Sequence, residues 1–180
     1  MSADIASTDQ AEIAEALRLG LRRLAKAVAV ITCSHEGRRY AMAATAVSEL
    51  SMDPPSLLLC VNRSASLYAP LSAGADFAVN ILASDHAEIC AVCAGKAKGE
   101  ERFGVGDWGE FPGGCPRLED AQASFFCRNS KAIDYGTHHI VIGEVGQVTI
   151  SGQVDPLIYA DGQFSRLGTQ PEALPEKARS

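Results

Sequence analysis

Short, strongly β-forming runs recur along this chain, each bounded by turn chemistry, and they do not alternate with helices of crossover length as a parallel sheet requires. Residues 27–32 (AVAVIT) form the first, continuous and apolar. Ser34, His35, Glu36 and Gly37 offer a turn, and residues 39–48 can pair back as a hairpin whose centre is small: Ala41, Ala43, Ala44, Thr45 and Ala46. Asp53-Pro54-Pro55 enforces an extended turn, since proline fixes its own φ and restricts the residue before it, and a strand over 57–62 follows. A buried strand over 77–82 (FAVNIL) and two long patterns over 123–133 and 139–150 complete the set; Ile140, Ile142, Val148 and Ile150 share one parity. Helical signals are peripheral. Ile13, Leu17, Leu21, Leu24 and Val28 recur at helical spacing, residues 67–72 suit a short helix, and Ser84 is placed to N-cap another. Residues 99–116 hold six of the 16 glycines and read as an irregular excursion. The pattern predicts a mainly β chain with peripheral helices, arranged as an antiparallel barrel.

One sizeable core fits a chain of 180 residues that is 47% hydrophobic and 21% charged. We expect a single domain over residues 12–168, with flexible ends at 1–11 and 169–180. No run approaches the roughly 18 consecutive apolar residues of a membrane span, and the polar start MSADIASTDQ lacks a signal peptide's regions, so no membrane association and a cytoplasmic location are expected. The net charge of −6 and the lack of a basic window argue against nucleic acid as a partner. A compact anionic cofactor remains compatible, because local N–H groups, hydroxyls and a few arginines suffice to hold one. Six cysteines, several among apolar neighbours, read as reduced buried thiols. Cys90 and Cys93 have CxxC spacing, but no second pair or paired histidines complete a zinc site, and no metal is expected.

The common nucleotide-binding and hydrolase signatures are absent. What remains is a distributed constellation: AVAVITC, then TAVSELSMDPPSLLLCVNRSASLY, FAVNILASDH, Arg102-Phe103, GTHHIVIGEV and the closing DPLIYADGQFSRL. In order and spacing these segments resemble the flavin reductase-like family, the reductase components of two-component flavin-dependent monooxygenases. The resemblance covers about residues 17–167 and implies the FMN-binding split β-barrel.

The resemblance implies roles residue by residue. Thr45, Ala46, Val47 and Ser48 would edge the isoalloxazine; without the resemblance they read equally as a hydroxyl-capped barrel strand. Cys60, Val61, Asn62, Arg63, Ser64 and Ser66 would form the strand end and turn that bind the ribityl chain and phosphate, with charge from Arg63 and hydroxyls from the serines. A solvated turn is the alternative. The family usually carries a threonine after the second serine, where this chain has Leu67, so one phosphate hydroxyl is missing. Asn80, His86, Arg102 and Phe103 match positions bordering the flavin, although an Asn in an apolar strand also serves by bonding backbone, and a His near a helix start by capping it. His138, the catalytic candidate, corresponds to the histidine of a Gly-Asp-His motif that sits where the nicotinamide enters. Here Thr137 replaces the aspartate, so no carboxylate at that position orients the ring, and His139 adds a second imidazole. Tyr159, Gly162 and Phe164 would approach the nicotinamide nucleotide, or else form a terminal hairpin packed on the barrel.

The activity implied is hydride transfer from NADH to FMN or FAD, with the reduced flavin diffusing to a partner monooxygenase; NADH is expected over NADPH because no arginine cluster reads as a 2′-phosphate site. The family also implies a homodimer. The alternative on the same barrel is a non-enzymatic electron carrier binding flavin or haem.

Overall fold

The computed structural model describes residues 9–168. Helix α1 (Gln10–Leu21) starts where the Asp9 carboxylate accepts the Ala11 N–H at 3.2 Å. Residues 10 and 11, expected in a flexible end, are therefore helical; residues 1–8 and the expected tail 169–180 lie outside the described residues. The helix also stops before Leu24 and Val28, and none of its residues is buried. After it come β1 (Lys26–Ala27), β2 (Ala29–His35), β3 (Arg38–Ala44), β4 (Val47–Met52) and β5 (Pro55–Asn62). Then follow α2 (Tyr68–Ser72), β6 (Phe77–Ile81), α3 (Ala87–Ala91), β7 (Trp108–Phe111) and β8 (Cys115–Leu118). The chain closes with β9 (Ala123–Tyr135), β10 (His138–Ile150), β11 (Ile158–Ala160) and β12 (Gln163–Ser165).

Seven strands form one sheet in the order β3-β2-β6-β9-β10-β5-β4, antiparallel at every pairing. The β2–β3 turn places both central residues, Glu36 (φ 50°) and Gly37 (φ 73°), at positive φ, which suits the right-handed twist of a tight hairpin. The single strand expected over 39–48 is two strands at opposite sheet edges. Its ladder to β2 ends at Ala29 opposite Ala44, the chain bends at Thr45 and Ala46, and the Ala46 carbonyl accepts the Cys60 N–H of β5 at 3.0 Å instead. The sheet ladder thus closes no full circle among the described residues, but the mainly β, antiparallel architecture with peripheral helices is as expected.

Strand β2 explains the core. Val30, with the adjoining Val28, packs among Leu82, Ile89, Val92 and Phe103 on one side, while Ala29, Ile31 and Cys33 pack among Leu59, Leu71, Phe77 and Val141 on the other. A strand buried on both faces has no polar parity to show, which is why the sequence there is continuously apolar. Two further expectations are corrected. Ser84 does not cap a helix, because its hydroxyl donates to Asp155 (2.5 Å) and accepts from Arg166 (2.8 Å), and α3 begins only after His86. Residues 99–116 are more regular than expected: a 3₁₀ turn over Gly99–Gly104 leads into the β7–β8 hairpin. No helix among the described residues is long and apolar enough to cross a membrane.

Candidate functional site

Strand β5 ends in a turn built by one side chain. The Asn62 carbonyl oxygen Oδ1 accepts both the Ser64 N–H (2.9 Å) and the Ser64 hydroxyl (2.8 Å), an Asx turn that sends the chain toward α2. Ser64, Ala65 and Ser66 thereby line a groove of about 960 Å³. Its floor is Tyr40, Ala41, Met42 and Ala43 of β3, and its far wall runs from Cys93 to Arg102. Arg38, Arg39, Lys98 and Arg102 surround it with Glu100 as the one carboxylate among its lining residues, a local excess of positive charge in a chain of net −6. Such a groove offers an apolar ledge for a flat ring and cationic and hydroxyl donors for an anion.

The wall is tied down by its arginines. Arg102 donates from Nε to the Ala97 carbonyl (3.0 Å) and from Nη1 to the Ser66 hydroxyl (3.2 Å) and the Ala41 carbonyl. Arg39 pairs with Glu100 and lies 4.2 Å from the centroid of the Phe103 ring, which meets Trp108 edge-on at 5.1 Å. Phe103 is therefore a buried support beneath Arg39 and does not itself line the groove.

A smaller recess of about 320 Å³ lies at the β9–β10 turn, lined by Cys60, Tyr135, Gly136, Thr137, His138 and Ile140. Gly136 makes the turn at φ 55°, a conformation that favours glycine. The Thr137 hydroxyl lies 3.0 Å from His138 Nδ1, and the Thr137 carbonyl accepts the Arg63 N–H at 3.0 Å. Behind the recess a carboxylate does appear, but from Asp134. It faces His139 Nδ1 at 2.7 Å and the Arg63 guanidinium at 3.1 Å. The His139 hydrogen bond, aided by Arg63, holds the Asp134 carboxyl below the usual carboxylate range. His139 is buried, edge-on to Tyr68 at 5.3 Å, with Nε2 lacking any partner.

The remaining candidates divide. Thr45, Ala46, Val47 and Ser48 sit at and beyond the bend that crosses from β3 to β4. Val61 points into the core and Asn62 is spent on its turn. Leu67, where a hydroxyl was missed, is fully buried. Asn80 is also buried with every valence used: it donates to the Val30 carbonyl (3.0 Å) and to Thr32, and accepts from the Leu118 N–H (3.0 Å) and Ser124 hydroxyl (2.8 Å), joining four strands. His86 Nδ1 accepts the Ala83 N–H at 3.2 Å while Nε2 faces Asp120 at 3.2 Å, so it holds the start of α3. Tyr159 and Phe164 belong to the small β1-β11-β12 sheet and Gly162 to the turn joining β11 to β12, pinned by Arg22 to Asp161 at 2.8 Å; none of the three lines either recess. Arg39, Lys98 and Asp134 escaped the sequence reading. For Asp134 a signal existed: a two-residue turn at Gly136-Thr137 pairs residue 134 with 139.

The model of the family "Flavin reductase like domain" matches residues 21–168. The chain is 38% identical over 154 residues to an FMN reductase (NADH), RutF, of Variovorax paradoxus, covering 86% of each. It is 37% identical over 154 residues to the reductase component of an FADH(2)-dependent resorcinol hydroxylase of a Rhizobium species, covering 84% of this chain and 86% of that one. Among solved structures, BorF, the flavin reductase component of a bacterial two-component tryptophan halogenase, superposes with a TM-score of 0.79 at 28% identity, over 87% of this chain and 99% of its own.

Proposed function

Because the chain belongs to the family of flavin reductase-like domains, we propose that it is an NADH-dependent flavin reductase that supplies reduced FMN or FAD to a partner monooxygenase. The observation that carries this is the larger groove, whose cationic rim and alanine-rich floor stand out in an acidic chain. Those residues fit a flavin: Ser64, Ser66 and Arg102 provide donors for a phosphate at one end, and the β3 floor accepts an apolar ring.

Bound flavin supplies the hydride-accepting chemistry, and no nucleophile of the protein is needed. The chain's own residues bind, orient and exclude water. Thr45, Ala46, Val47 and Ser48, at the bend just beyond the β3 floor, would offer backbone groups and hydroxyls to the polar rim of a bound ring, and His138 would border the nicotinamide from the smaller recess. Arg39 and Lys98 reinforce the phosphate end. The enzyme works as a homodimer in the cytoplasm; the exposed apolar side chains of α1 and of Met52, Ile150 and Val154 support burial against a second copy.

The test is NADH oxidation by the purified protein, followed by absorbance with and without added FMN or FAD, then ultrafiltration. Rapid oxidation that depends on free flavin is the expected result. Retained flavin without turnover would replace this reading with an electron carrier.

A further inference from the structure

We propose that Asp134 is a positioning residue: its carboxylate clamps Arg63 to His139 and so fixes the turn at residues 136–138 that presents His138 to the smaller recess. The proposal rests on the flavin reductase reading for what enters that recess; the clamp itself rests on geometry.

The β9–β10 register sets Asp134 opposite His139, and β10 against β5 sets His138 opposite Asn62. Both oxygens of Asp134 are used, Oδ1 by His139 Nδ1 at 2.7 Å and Oδ2 by Arg63 Nη2 at 3.1 Å. Arg63 grips the same turn twice, because its backbone N–H also donates to the Thr137 carbonyl at 3.0 Å. Residues on both sides of His138 are therefore held. His138 and His139 project to opposite faces, as neighbours on a strand must, so the buried His139 anchors the strand while the exposed His138 looks out.

Two features separate this from ordinary packing. A phenyl ring at position 139 would fill the space beside Tyr68 without leaving a buried nitrogen unmet; what only the imidazole adds is the Nδ1–H that Asp134 accepts. And Arg63, which the family resemblance would assign to the flavin phosphate, does not line the larger groove, where Arg102 and Ser66 stand. Its charge is directed to Asp134 on the other side of the turn.

The test compares wild type with Asp134→Asn, Arg63→Met and the double variant. Asp134→Asn is nearly isosteric, and Asp134→Ala serves as the second, more disruptive variant; melting curves verify the fold of each. Each single substitution should raise the KM for NADH about tenfold, the double variant should be little worse than either, and the flavin Kd from fluorescence quenching should change less than about twofold. The hydrogen-bonded Nδ1–H proton of His139 should give a downfield NMR resonance that Asp134→Ala abolishes. Weakened flavin binding in Arg63→Met with an unchanged KM for NADH would overturn the proposal, as would unchanged kinetics in all folded variants. Wild-type protein that oxidises no NADH would remove the reductase reading alone; persistence of the His139 resonance in Asp134→Ala would then still overturn the clamp.

Discussion

Cys60 differs from the chain's other five thiols in what surrounds it. Burial pushes Cys33, Cys115 and Cys127 up to about 12 and Cys93 to about 11, and raises Cys90. Since the thiolate is the reactive form, burial suppresses the reactivity of these five, whereas the half-buried Cys60 opens onto the smaller recess. Titration with an aromatic disulfide reagent should therefore show one fast thiol in the folded protein and six after denaturation, with NADH slowing the fast one; two or more fast thiols would contradict this. Cys90 and Cys93, despite their CxxC spacing, are both buried. Other residue roles were less legible. The resemblance placed Asn80 and His86 near a site, but what they bond is set by segments distant in sequence: Leu118 and Ser124 for Asn80, Asp120 for His86. The Asp134 carboxylate was missed for a different reason: its partner His139 is close in sequence, but the pairing shows only once the chain is read as a two-residue turn at Gly136-Thr137.

Strand β10 carries an irregularity between Ile142 and Gly143 that matters more than its length. A Cβ at Gly143 would come within 2.5 Å of the Phe77 ring and 2.7 Å of Cys127, so the strand must approach the core there without a side chain. Gly143→Ala should destabilise the protein by about 1–3 kcal/mol, measured by urea unfolding, through overpacking of that contact. Among the elements, those with a strong local signal were readable: the α2 and β6 positions follow from short apolar runs, and the long β9–β10 pair from β patterns with Ile140, Ile142, Val148 and Ile150 on one parity. The division of residues 39–48 was not, because nothing in Ala43-Ala44-Thr45-Ala46 forbids a continuous strand; the break comes from β5 capturing the Ala46 carbonyl. Nor was the end of α1 legible, since Leu24 continues the helical spacing after the helix has stopped.

For the molecule as a whole, the proposed second copy is the feature most open to direct measurement. Leu17 is 60% exposed, Ile150 81% and Met52 86%, more apolar surface than an isolated chain of this kind comfortably presents to water. Light scattering after size exclusion should give twice the 19.0 kDa chain mass, and Leu17→Asp should shift the distribution toward the monomer; a single-chain mass for wild type would remove the homodimer. The two recesses meet at one short stretch, the end of β5 and the turn after it from Cys60 to Ser66: Cys60 faces one and Ser64 and Ser66 the other. Arg63 sits between Asn62 and Ser64 on this stretch and is bonded to the Thr137 carbonyl and to Asp134, so the same few residues act as a party wall: a shift that widens one recess is felt by the lining of the other.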